Sequence, residues 1–259
     1  MNPPSAPHPP SSVEVLFSPA EFASLAARDL SQTTCVVFDV LRATSTMITA
    51  LAHGATAIIP VATIAEALAV RARQPDVLLG GERHGRRIRA ALSGGVDFDL
   101  GNSPREYTAE NVRDRTIAMT TTNGTRALRA CAPAGAVVIG SLLNLRATAA
   151  RFQEEKPRHL LMVCSGTGEG PAWEDTLAAG ALCDRLAVSG REGDWDDSAF
   201  IARAIWQEAR GRLADTLIRS RNARRLREIP ELREDVAFCL QVDRFDFVAG
   251  MDRTGAVRK

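Results

Sequence analysis

The chain reads as an α/β protein: a layered parallel or mixed sheet with helices on both faces, built from two similar β-loop-α-β repeats. Three observations predict it. Short runs rich in Val, Ile and Leu, such as 34–38 and 57–61, are apolar without alternation, as in strands buried on both faces. Between them lie segments with apolar residues at helical spacing. Finally, Val36–Ile59 and Ile117–Gly140 coincide when offset by about 81 residues. Each has an apolar run, a hydroxyl-rich loop carrying an arginine, an Ala/Leu helix, then Gly-Ala and another apolar run.

The elements follow in order. The first twelve residues, MNPPSAPHPPSS, read as a disordered Pro-rich tail, leaving 13–259 as one α/β domain; a division into two intertwined lobes, about 13–110 and 111–259, stays open. Val13–Phe17 is a first strand, and Ser18-Pro19 opens a helix through Ala27, with Ser18 as N-cap and Pro19 at N1. Strand Thr34–Phe38 runs into the loop Asp39–Ser45, then helix Thr46–Ala52 closed by His53-Gly54. Strand Ala57–Val61 precedes helix Ile64–Arg73, capped by Thr63. Val77–Leu79 is a strand ending in Gly80-Gly81-Glu82-Arg83. The stretch 84–107 is too long and too polar for a simple connector, so it contributes to a site. Strand Thr116–Met119, a Thr-rich loop, helix Thr125–Cys131 and strand Ala136–Ile139 come next, then helix Asn144–Glu154. Strand His159–Val163 leads through Cys164-Ser165-Gly166 to helix Trp173–Ala187. Helices Ser198–Leu213, Ala214–Arg221 and Leu232–Leu240 and a final strand Phe245–Ala249 complete the chain. The basic run Arg219–Arg227 reads as a solvated helix face, with a functional basic patch as the lesser alternative.

Composition narrows the function. The formal net charge is +1 and aromatics make up 5%, which argues against a nucleic-acid partner and a base-stacking platform. No apolar run reaches the roughly 18–20 residues of a membrane span, and the N-terminus lacks the apolar core of a signal peptide. The five cysteines are dispersed, with no CxxC pair, as expected of reduced thiols in the cytoplasm. No histidine is spaced to share a zinc with another.

In open α/β sheets ligands sit beyond the carboxyl ends of the strands. Asp39, Glu82, Thr120 and Cys164 all fall there. Asp39, set directly after a buried strand, needs a partner or a metal. Arg42 can hold phosphate bidentately, and Thr44, Ser45 and Thr46 place hydroxyls beside a helix start, where free N–H groups favour an anion. Thr120 to Arg126 repeats that chemistry: Thr122, Asn123, Gly124, Thr125 and Arg126 form a second anion cradle. Glu82, after two glycines, is a candidate Mg²⁺ ligand, and Glu174 and Asp175 open a helix where carboxylates also suit the dipole. Magnesium takes only one or two carboxylates plus waters and substrate oxygens, so the remaining acids orient water or accept a proton.

Covalent signatures do not fit. Asp39 is followed two residues on by Leu41 rather than by a second Asp; neither Cys131 nor Cys164 starts a Cys-x₅-Arg; a Walker A loop is absent. Arg83-His84-Gly85 mimics the Arg-His-Gly of histidine phosphatases but lies too far along the chain. Attack by a metal-oriented water is the preferred mechanism.

Taken together these segments resemble the 2-phosphosulfolactate phosphatase family. The matching stretches are 38–47, 80–84, 99–108, 120–128, 140–144, 164–167, 173–176 with 179–180, and 235–240, over roughly Val13 to Met251. The resemblance implies a Mg²⁺-dependent acid phosphatase that converts (R)-2-phospho-3-sulfolactate to sulfolactate and phosphate, a step of coenzyme M synthesis in methanogens. Asp39, Arg42, Glu82, Asn102, Ser103, Asn123, Thr125, Glu174 and Asp175 occupy family-motif positions. The expected site therefore has Asp39, Arg42, Glu82, Glu174 and Asp175 as catalytic residues, with metal on Asp39 and on Glu82 or Asp175. Thr44, Ser45, Arg83, Asn102, Ser103, Thr122, Asn123, Gly124, Thr125, Arg126 and Cys164 would bind a small anionic phosphorylated substrate, with Arg83 or Arg105 meeting its sulfonate or carboxylate. A non-catalytic sulfolactate-binding protein, a phosphatase of another small phosphorylated 2-hydroxy acid, and a homodimer stay open.

Overall fold

The computed structural model describes residues 12–188 and 194–259. Ten strands form one mixed sheet: β1 (Ser12–Leu16), β2 (Thr33–Phe38), β3 (Ala57–Pro60), β4 (Leu78–Arg83), β5 (Arg86–Arg87), β6 (Thr116–Thr120), β7 (Ala136–Gly140), β8 (His159–Cys164), β9 (Ala249–Met251) and β10 (Val257–Arg258). Their order is β1-β8-β2-β7-β9-β10-β3-β6-β4-β5. Two parallel groups, β1-β8-β2-β7 and β3-β6-β4, are joined edge to edge by the antiparallel β9–β10 pair. The α/β expectation therefore holds.

Non-alternating apolar runs are explained by burial on both sides. Along β2, Cys35 and Val37 join one apolar layer while Val36 and Phe38 join the other. The first layer packs under the helices Ala43–Ala52 and Gly124–Cys131, through Met47, Ile48, Leu51 and Leu128. The second packs under Leu145–Glu155, Trp173–Val188 and Asp197–Ala209, through Phe152, Leu182 and Ala202. Each of the two look-alike segments forms strand, loop, helix and strand: β2 to β3, and β6 to β7. They interlace, because β2 pairs with β7 and β3 with β6.

Several expected boundaries shift. Ser12 starts β1 rather than ending a tail; residues 1–11, including His8, lie outside the described residues. The first-repeat helix begins at Ala43, three residues early, because Asp39 caps it from the strand end. β4 extends through Arg83, since Glu82 and Arg83 pair with Arg87 and Arg86 in a tight hairpin. Its turn is His84-Gly85, with φ of 56° and 80°, the two positive values of a type I′ turn. The Arg-His-Gly tripeptide is thus a hairpin corner. The stretch Phe245–Phe247 is not a strand; Phe245 and Phe247 pack on the core from irregular chain, and ladder pairing begins at Ala249. The C-terminal helices break up as Asp197–Ala209, Leu213–Leu217, Arg221–Arg227 and Arg233–Cys239. Among the described residues no helix is long and apolar enough to cross a membrane.

Candidate functional site

The segments that leave β2, β4, β6 and β8 line one cavity of about 240 Å³, although β2 and β8 run opposite to β4 and β6. Its walls include Asp39, Leu41 and Arg42 after β2, Glu82 to Gly85 at the β4 hairpin, Asn102, and Thr121 to Asn123 after β6. The remaining wall, drawn from far along the chain, is Thr167, Gly168, Asn222, Arg225 and Leu226. The two look-alike loops, distant in sequence, thus face one space.

Each loop is held by the protein's own polar groups. Asp39 Oδ1 accepts the Ala43 N–H at 3.1 Å, and the Asp39 N–H donates to Thr44 Oγ1 at 3.0 Å. The Ser45 hydroxyl donates to the Val40 carbonyl at 2.8 Å. Thr44 and Ser45 are fully buried and outside the cavity lining, so they brace the loop instead of meeting a ligand. In the second loop Thr122 donates to Glu82 Oε1 from its N–H at 2.8 Å and its hydroxyl at 2.7 Å. Glu82 Oε2 accepts the Gly85 N–H at 2.7 Å. The cradle read as phosphate-holding therefore already holds a carboxylate. Thr125 is buried and bonds back to Thr121, while the Asn123 amide lines the cavity. Gly124 is required: a Cβ there would lie 2.6 Å from Ala43 Cβ and 2.8 Å from Asp39 Oδ2. Gly81 is required for another reason, its φ of 146° and a Cβ only 2.1 Å from the Thr120 carbonyl oxygen.

Arg42 is nearly sealed, 3% exposed, and pairs with Asp235 at 2.7 Å while donating to the Gly85 carbonyl at 2.7 Å. Ser103 donates to the other Asp235 oxygen at 2.7 Å, so Ser103 positions Asp235 rather than lining the cavity. Asn102 does line it, and its buried Oδ1 has no hydrogen-bond partner. Arg83 lines it too, with its guanidinium on Thr120 Oγ1 at 3.0 Å and the Glu82 carbonyl at 2.7 Å.

Two expected ligand residues lie elsewhere. Arg126 is exposed and pairs with Glu169 at 2.6 Å. Cys164 is fully buried at the end of β8, where burial pushes its thiol well above the usual range, leaving it neutral and unsuited to an anion. Arg105 is half exposed, donates to the Glu231 carbonyl and lies outside the lining.

The acids converge. Asp175 ties the strand ends together: Oδ1 accepts the Val40 N–H at 2.8 Å and Oδ2 the Gly166 N–H at 3.0 Å. Glu174 accepts from the Asn222 amide at 2.6 Å through Oε1, and its buried Oε2 has no partner. Burial raises the Asp39 carboxyl to about 7, and the Glu82 and Glu174 charges push the same way, against the Ala43 N–H and Arg42. Burial also raises Asp175 well above the usual range, helped by Asp39 and Glu174. Among the described residues, no three His, Cys, Asp or Glu side chains make a ready metal cage. The mutual repulsion still fits a site that gains from a cation, and a magnesium ion needs few protein ligands.

Sequence reading missed the far wall. Asn222 and Arg225 belong to the basic run read as solvated, and Asp235 stood only in a matching stretch. Arg224, Arg225 and Arg227 are indeed exposed, but Arg225, with half-buried Asn222 and buried Leu226, also lines the cavity. Their spacing of three and four residues on one helix was the available signal.

A sequence profile of the family described as 2-phosphosulpholactate phosphatase matches residues 21–253. A protein of Caldanaerobacter subterraneus subsp. tengcongensis named probable 2-phosphosulfolactate phosphatase is 38% identical over 239 residues, 92% of this chain and 95% of the relative. One of the same name from Symbiobacterium thermophilum is 40% identical over 221 residues, 83% of this chain and 90% of the relative. A third, from Pseudothermotoga lettingae, is 37% identical over 237 residues, 91% and 94% of the two chains.

Proposed function

We propose a substrate and a mechanism for this chain, which belongs to the 2-phosphosulpholactate phosphatase family and is a phosphatase, a phosphoric monoester hydrolase. The substrate is (R)-2-phospho-3-sulfolactate, and the products are sulfolactate and phosphate. The observation that carries this reading is the convergence of both look-alike loops, the Glu82 hairpin and Asn102 on one polar cavity at the strand ends. Its volume suits a small polyanion and excludes a macromolecular substrate from the inner wall.

Mg²⁺ would be held by Asp39 Oδ2 and Glu174 Oε2, the two oxygens of the four site acids that have no hydrogen bond among the described residues. Glu82 and Asp175 were the other expected metal ligands. Each oxygen of those two already takes a backbone N–H, so we assign them to positioning the loops. When bound, the ion supplies charge neutralisation on the transferring phosphoryl group. The Asn123 amide and the Arg42 guanidinium face that group, and Asp235 fixes the guanidinium's angle. Water attacks phosphorus in line as the bond to the C2 oxygen breaks, and the leaving oxygen takes a proton. A loose transition state of this kind asks for orientation and charge more than for a strong base.

The test is phosphate release from racemic phosphosulfolactate, phospholactate and p-nitrophenyl phosphate, each with Mg²⁺ and with EDTA. Selective, EDTA-sensitive release from phosphosulfolactate is expected. Release insensitive to EDTA would favour a covalent route through His84, which lines the cavity. Binding without release would favour a non-catalytic sulfolactate binder.

A further inference from the structure

The cavity carries three guanidinium groups, and they are not equivalent. That of Arg42 is committed to Asp235 and the Gly85 carbonyl. That of Arg83 is committed to Thr120 and the Glu82 carbonyl. Arg225, on the far wall, has no ion pair or hydrogen bond among the described residues. Its helix, Arg221–Arg227, is nevertheless fixed against the site. Ser220 caps it by accepting the Ala223 N–H, Arg221 donates to the Thr167 carbonyl at 2.9 Å, and Asn222 bonds both Thr167 and Glu174. Arg225 follows Asn222 by three residues and so projects on the same helix face. An unpaired arginine on a fixed helix therefore lines the same cavity as the two look-alike loops.

We propose that Arg225 is the specificity-determining residue that recognises the sulfonate, the anionic group of the substrate remote from the transferring phosphoryl. This deepens the substrate reading above and rests on it. The phosphoryl end is drawn to the loop wall by Arg42, Asn123 and the acids that suit a cation. Two further anions sit on the three-carbon skeleton, a carboxylate on C2 and a sulfonate one bond farther out on C3, and the sulfonate has the longer reach to a cation elsewhere in the lining. A guanidinium with nothing else to bind offers paired N–H donors to sulfonate oxygens at little reorganisation cost. Arg83 and Arg105, the cations expected from sequence, have guanidiniums already engaged, on Thr120 and on the Glu231 carbonyl.

The experiment measures the ratio of kcat/KM for phosphosulfolactate over phospholactate, which keeps the carboxylate and lacks the sulfonate. It uses the full-length Mg²⁺-loaded enzyme and the variants Arg225→Ala, Arg225→Lys and Arg83→Ala. In Arg225→Ala the ratio falls roughly ten- to a hundred-fold, the loss expected of a charge-assisted hydrogen-bonded pair. Arg225→Lys recovers part of it, and Arg83→Ala leaves the ratio within about twofold of wild type. Arg225 is exposed and has no hydrogen bond or ion pair among the described residues, so the variant keeps a melting temperature close to wild type. An unchanged ratio in Arg225→Ala, whatever the absolute rates, overturns the inference. So does a ratio that collapses in Arg83→Ala instead. A wild-type enzyme that releases no phosphate from phosphosulfolactate overturns the substrate reading itself, a result visible before any variant is made.

Discussion

Removing the charge of Asp235 tests how the C-terminal helices support the site. Its carboxylate is completely buried and joins two distant parts of the chain: Arg42 at 2.7 Å on one oxygen and Ser103 at 2.7 Å on the other. The paired side chains are 2% and 0% exposed, so neither can turn to water if the other is lost. Arg105, 3.6 Å away, has a side chain 44% exposed and adds little. In Asp235→Asn the Arg42 guanidinium keeps the Gly85 carbonyl but loses its counter-charge in a sealed environment. Stranding one partner of such a pair costs about 3–5 kcal/mol. The assay is urea unfolding followed by intrinsic fluorescence, with the stability loss read from the midpoint at constant slope. The double variant Arg42→Met with Asp235→Leu separates the two roles of the pair. It removes both charges, so it recovers stability relative to Asp235→Asn while phosphatase activity stays lost. A loss below about 1 kcal/mol in Asp235→Asn, or an active double variant, would refute the reasoning.

Two other expectations concern the acids. Gly124→Ala drives a methyl group into Ala43 and the Asp39 carboxylate; a stability loss of about 1–3 kcal/mol and at least a roughly tenfold drop in kcat are expected, measured on the same purified variant. Asp39 gives a pH signature. Its folded value of about 7 lies above the ordinary 3.8, so the stability held by the protonated carboxyl is complete below about 3.8 and is lost as pH rises through about 7. A cation on the ionised form reverses that loss, so the melting-temperature gain from Mg²⁺ over EDTA is small near pH 5 and grows toward pH 8; a gain independent of pH counts against Asp39 as a ligand.

The sequence carried the near wall of the site far better than the far wall, for physical reasons. The ends of the parallel ladders are announced by local chemistry: Phe38 to Asp39 and Gly81 to Glu82 are abrupt changes from apolar or small residues to a carboxylate. Parallel pairing places such ends together within each group, β2 with β8 and β4 with β6, while the two groups run in opposite directions and their loops meet only in the folded chain, where Gly124 packs against Ala43 and Asp39. What a loop binds is less local. Thr122 offers the same donors to phosphate as to Glu82, and only the pairing of β4 beside β6 brings that carboxylate into reach. Likewise Thr44 and Ser45 look available until the helix starts at Ala43 and turns them inward.

The C-terminal helices show the stronger form of this limit. A run such as Arg219–Arg227 has the composition of a solvated surface, and nothing in the sequence says which of its five arginines lines the site. The distinction comes from neighbours: Leu226 and Ala223 are buried against the rest of the cap, which fixes the helix rotation and presents Asn222 and Arg225 to the site. Asp235, 193 residues from Arg42, is legible only through its burial, since an acid at the start of a helix already has an ordinary explanation in the dipole. The fold thus divides the work by sequence distance. On the proposed reading, strand-end loops supply the groups that suit the reacting phosphoryl, and a late helical cap supplies the groups that fix and discriminate, so that substrate preference would change through the cap while the loops stay as they are.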